Sequence, residues 1–177
     1  YCHFLTQGNY APICVTVTYT PSTGPDQFVD FYFKSYIDTF STLTLSGIAS
    51  KLSGATAASA IIYYQGVASP SFTLVNSTGA IQRHFFSIVI NQENGVVPTT
   101  NPIVGDNFCD GSCVCYNNEC FESNSKGYGT IDCTIYVSWA GTDTSGTHLL
   151  SNTMRLSRYS FYSMSSVYSA VKSNLGY

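Results

Sequence analysis

The 177-residue chain reads as mostly β: a single antiparallel β-sandwich or jelly-roll-like domain with a disulfide-rich insert and a short C-terminal helix. Three observations predict this. About eight short segments alternate apolar and polar residues and are separated by Gly, Pro, Asn and Ser clusters, the pattern of paired strands rather than of βαβ units. Five of the seven cysteines crowd into residues 109–133, where turn-forming residues leave little apolar surface to bury. The length suits one hydrophobic core, so residues 1–177 form one domain, with 91–133 as a long loop plus cysteine-rich insert.

Taken in order, residues 1–12 read as irregular, with a turn at Gly8-Asn9. Residues 14–20 (CVTVTYT) alternate and are rich in β-branched side chains, the signature of a strand. The turn at 21–26 (PSTGPD) leads to 28–37 (FVDFYFKSYI). There Val29, Phe31, Phe33 and Ile37 face the core, with Ser35 breaking the row, and Phe28, Asp30, Tyr32, Lys34 and Tyr36 share the solvated face. Residues 41–48 form a further strand. Residues 47–60 suit a short helix of small residues, weakened by about 1 kcal/mol for each glycine. Strands at 60–65 and 71–75 follow, then a turn at 76–79 and the longest strand pattern at 80–91 (AIQRHFFSIVIN), whose second half is almost wholly apolar. Residues 92–108 carry two prolines and many turn formers and read as a linker without regular structure. Residues 130–140 (TIDCTIYVSWA) form a strong strand that places Cys133 in a sheet and staples the insert to it. A hairpin turn at 141–147 precedes a return strand at 148–159. Helical spacing of Phe161, Met164, Val167, Tyr168 and Val171 predicts the final helix at 161–174, with Gly176 beyond its end.

The cysteines set the expected compartment. Cys2, Cys14, Cys109, Cys113, Cys115, Cys120 and Cys133 are assigned to disulfides. Cys113 and Cys115 are too close in sequence to bridge each other without strain, so they need different partners. Seven is odd, so one cysteine stays a buried free thiol or bonds another chain. Cys109, Cys113, Cys115 and Cys120 supply enough thiolates for zinc, but the spacing lacks paired C-x2-C units and no histidine is near. Asp106, Asn107 and Asp110 offer oxygens without a calcium-loop pattern. The cluster resembles the short cysteine-rich inserts of extracellular modules, including part of an epidermal-growth-factor-like repeat. It lacks the six-cysteine pattern, and no family is assigned. Asn76-Ser77-Thr78 is an N-glycosylation triplet. A first residue other than Met suits signal cleavage or excision from a longer chain.

Composition narrows the function classes. Only 10% of residues are charged and the net charge is −3, while 14 Tyr and 11 Phe make a heavy aromatic load. Seven Lys and Arg give no basic stripe for nucleic acid, and no apolar run is long enough for a transmembrane helix. His3, His84 and His148 sit in no nucleophile motif, the three Glu and seven Asp form no recognisable pair for glycoside chemistry, and no phosphate-binding loop appears. We therefore expect a non-enzyme without cofactor or metal, secreted to the cell exterior or surface. Its expected role is a self-assembling subunit of a filament, sheath or coat, partnered by copies of itself or by other surface proteins. The alternative is a secreted carbohydrate- or protein-binding module of adhesin or lectin type. That module would bind glycans on a platform of Tyr19, Tyr32, Tyr36, Tyr63 and Tyr64, with Trp139 in the core.

Overall fold

A computed structural model describes residues 9–76, 82–106, 113–116, 119–122 and 132–154. Among them the chain is mostly β, arranged in antiparallel sheets that contain one parallel ladder. Strand β1 (Tyr10–Thr20) pairs along almost its whole length with β2 (Gln27–Tyr36), from Tyr10 opposite Tyr36 to Tyr19 opposite Gln27. Strands β3 (Ser41–Thr44) and β4 (Ala57–Tyr64) flank the single-turn helix α1 (Ile48–Leu52), and β4 pairs with the other side of β1. Short strands β5 (Val67–Ala68) and β6 (Phe72–Val75) both pair with β4, completing a five-stranded sheet. The second sheet uses β3 together with β7 (Phe85–Gln92), β8 (Ile103–Asp106) and β11 (Thr134–Gly141) in the order β3-β11-β7-β8. A separate hairpin joins β9 (Cys113–Tyr116) to β10 (Glu119–Glu122).

Alternation decides which side chains meet. In β4 every second residue is buried, with Ala58, Ala60, Ile62 and Tyr64 on the inner face. They share one core with Ile88, Ile90, Ile135, Val137 and Trp139 of the second sheet. Two ring pairs join the sheets: Tyr64 meets Trp139 edge-on at 5.3 Å, and Phe72 stacks on Phe86 at 5.0 Å. The Gln92 side-chain amide donates to the Tyr64 hydroxyl at 2.6 Å across the same interface. Trp139 is fully buried, as the sequence predicts. The predicted faces of β2 are also seen: Val29, Phe31, Phe33 and Ile37 pack against the core, and Ser35 is buried among them.

Several sequence expectations need correction. The sheets are not antiparallel throughout, because β11 runs parallel to β7, with Thr134 opposite Phe85 and Gly141 opposite Gln92. The crossover 93–133 is long enough to return the chain in the same direction. Both strands are buried on both faces, Val89 and Ser138 included, which is the usual setting of parallel strands. The stretch 92–108 is not a bare linker. Asn94 and Gly95, with φ of 51° and 80°, make a two-residue turn closed by Glu93 and Val96, and β8 then pairs with β7. The helix within 47–60 ends at Leu52, and β4 begins at Ala57.

A return strand at 148–159 does not form over its described part. His148 bridges Thr142, and Ser151–Met154 is a 3-10 turn. Asp38 Oδ1 accepts the N–H groups of Leu150 and Ser151, both at 2.8 Å, and Ser151 Oγ accepts from the Trp139 N–H at 2.7 Å. Those bonds satisfy donors that a strand ladder would otherwise use. The predicted helix at 161–174 lies outside the described residues. Among the described residues no helix is long and apolar enough to cross a membrane.

Candidate functional site: the outer face and edge of the five-stranded sheet

Strand β2 borders the five-stranded sheet, and β1 is its only partner strand among the described residues. Its outward residues are Phe28, Asp30, Tyr32, Lys34 and Tyr36. Phe28 is 73% exposed, Tyr32 57% and Tyr36 50%. Apolar rings on a ten-residue edge strand are unusual, because edges are commonly short, charged or covered. Neighbouring side chains from β1 hold this face in place. The Tyr10 and Tyr36 rings lie 4.4 Å apart with their hydroxyls 2.5 Å from each other. That hydrogen bond raises the pKa of Tyr36. The Lys34 ammonium sits 3.7 Å from the Tyr10 ring centre. Thr16 Oγ1 donates to Asp30 at 2.6 Å.

The five-tyrosine platform is split by the pleat. Tyr63 and Tyr64 are adjacent in β4 and point to opposite faces. Tyr19 and Tyr64 are buried inside, where the Tyr19 hydroxyl donates to Gln27 Oε1 at 2.8 Å and the Tyr64 hydroxyl accepts from Gln92. Tyr32 and Tyr36 are exposed outside, and Tyr63 is half-buried on their side. The register places Tyr32 and Tyr63 on either side of Cys14. The sequence reading missed Tyr10, because residues 1–12 read as irregular. The signal was present: Tyr10 continues the outward phase of Pro12, Thr16 and Thr18.

Cys14 breaks that phase. It lies on the outward side of β1 yet is only 1% exposed, and it is disulfide-bonded. Its partner is one of the cysteines whose side chains lie outside the described set. Cys2 and Cys109 lie wholly outside it. Cys113 and Cys115 are placed on β9 and Cys120 on β10 by backbone alone, with Cys115 opposite Cys120 in register. Cys133 differs from expectation: it is a free, buried thiol and not a staple between insert and sheet. It lies in the core just before β11, and its carbonyl accepts from the Leu45 N–H at 2.9 Å.

Burial pushes the Cys133 thiol up to about 12 from its ordinary 9.0, while Arg83 pulls it down and Asp132 pushes it up. Such a group is protonated at neutral pH, the opposite of an activated nucleophile. Asp132 has another task. Its two oxygens accept the N–H groups of Gly47 at 3.0 Å and Ala49 at 2.9 Å, capping α1 from a distant part of the chain. His84 and Arg83 are buried between β6 and β11, and the Arg83 guanidinium lies over the Phe86 ring. His148 bridges Thr142 just outside the turn that Asp143 closes with Thr147. Among the described residues no three His, Cys, Asp or Glu side chains gather as metal ligands, and the four cysteines considered for zinc have no described side chains. Asn76 directly follows β6 and is 5% exposed.

No protein-family model, curated protein or solved structure was found to match this chain.

Proposed function

We propose that the chain is a non-enzymatic extracellular structural protein, a self-assembling subunit of a surface filament, sheath or coat. We further propose that its two sheets form a β-sandwich carrying a disulfide-rich insert. One observation carries the reading: a ten-residue border strand, β2, with Phe28, Tyr32 and Tyr36 largely open to solvent. Border strands of this kind recruit other strands, and a surface with few charges offers little repulsion between copies. The disulfide at Cys14 supports an oxidising compartment. Sedimentation across a concentration series tests the reading. Association that rises with concentration is expected; a monomer that persists into the millimolar range would refute it.

The cluster of Tyr10, Lys34 and Tyr36 favours one alternative, a sugar-binding face. Its mark would be glycan binding by a monomer that does not associate.

A further inference from the structure

The residues of β2 are arranged symmetrically about Tyr32. Phe31 and Phe33 lie one step away, Asp30 and Lys34 two steps, and Phe28 and Tyr36 four steps. The pattern mirrors in shape and inverts in charge. When two antiparallel copies of such a strand meet with the two-fold axis at Tyr32, the aromatic and charged residues pair favourably, and Val29 faces the partner's Ser35. On the outer face Tyr32 meets the partner's Tyr32, Asp30 meets the partner's Lys34, and Phe28 meets the partner's Tyr36. On the inner face Phe31 meets the partner's Phe33. Aromatic and opposite-charge pairs directly across an antiparallel ladder are stabilising, and like charges there are destabilising. An axis at Asp30 or at Lys34 would set like charges face to face, and an axis at Phe31 or Phe33 would set both charges opposite aromatic rings; of these, the axis at Tyr32 is the one that pairs Asp30 with Lys34.

The structure prepares the edge for this pairing. Phe31 and Phe33 stack on each other at 6.5 Å and pack against the core, yet both remain only partly buried. A strand beyond β2 would complete their cover. Asp30 and Lys34 are positioned by Thr16 and the Tyr10 ring. We propose that β2 pairs antiparallel with β2 of a second copy of this chain, centred on Tyr32, so that the five-stranded sheet runs on through both copies. This deepens the self-assembly reading and rests on it. The interface is isologous and closes on itself, so a longer polymer of these pairs needs a second contact elsewhere.

Charge reversal tests edge and register together. Asp30→Lys and Lys34→Asp are each expected to weaken self-association about tenfold or more, since two pairs per dimer turn repulsive. Mixing the two variants is expected to restore association as a heterodimer, and the double variant Asp30→Lys/Lys34→Asp as a homodimer. Independently, Tyr32→Cys is expected to give a reducible cross-linked dimer in air that the parent does not give. Circular dichroism melting checks that each variant is folded. A parent that associates while both reversals associate equally well and Tyr32→Cys stays uncrosslinked would overturn this interface and leave the self-assembly reading standing. A parent that stays monomeric would overturn both.

Discussion

Cys133 sits in the core with its thiol held protonated by burial, close to Arg83 and Asp132. Two outcomes follow from that placement. A thiol reagent at pH 8 should leave Cys133 unmodified in the native protein and label it within minutes in denaturant; fast native labelling at that residue by peptide mapping would contradict its burial. The same group makes stability pH-dependent. The folded thiol titrates near 12 and the unfolded one near 9.0, so the unfolded state loses its proton first. The contribution is intact below pH 9.0 and is lost as pH rises towards 12. Alkaline melting curves should therefore fall over that window, and Cys133→Ser should flatten the fall. At Gly141 the constraint is backbone geometry. Its φ is +90°, and a β-carbon there would collide with the Gln92 carbonyl oxygen across the parallel ladder. Gly141→Ala should cost more than about 1 kcal/mol, read as a melting point lower by at least about 2 °C.

Among the elements, α1 depends on a residue distant in sequence. Its N-cap, Gly47, has no side chain to offer, and Asp132 supplies both acceptors. Asp132→Ala should destabilise by about 1–2 kcal/mol, a melting point lower by about 2–8 °C; an unchanged melting point would show that the cap contributes nothing. For β2 the expectation concerns solubility and association. Phe28→Lys at a largely exposed position should leave the melting point nearly unchanged, within about 0.5 kcal/mol, and reduce association. The strands were legible in the sequence where alternation was strict. In β1 and β2 strict alternation predicted strands that the structure keeps, and for β2 it also predicted the core-facing row Val29, Phe31, Phe33 and Ile37. Other features were hidden for physical reasons. The direction of β11 depends on which strand it pairs with, and a continuous apolar run such as SIVI does not encode that. The 3-10 turn at Ser151–Met154 depends on Asp38, far away in the chain. The Asn94-Gly95 turn carried a readable local signal, which the prolines nearby outweighed in the sequence reading.

For the whole molecule, sulfur and edge geometry act together. The parity of seven cysteines implied one odd thiol, but only packing identifies Cys133 as a free one, because its position beside a strand looked equally suited to a bridge. The candidate site was half legible: the outward row of β2 was read from alternation, while its place at a sheet border and its contact with Tyr10 come from pairing. The disulfide at Cys14 ties the outward side of β1 to another part of the chain, and a disulfide contributes about 2–4 kcal/mol. Reductant should therefore lower the melting point by about 4–16 °C at the conversion for a chain of this size. An identical melting curve with and without reductant would show that the bond does not hold the fold.

The most direct test of the central claim is sedimentation equilibrium of the purified chain over a wide concentration range, beside its Asp30→Lys and Lys34→Asp variants and their mixture. The account predicts reversible association of the parent, loss of it in each variant, and recovery on mixing. A single monomeric species for the parent at every concentration would contradict it.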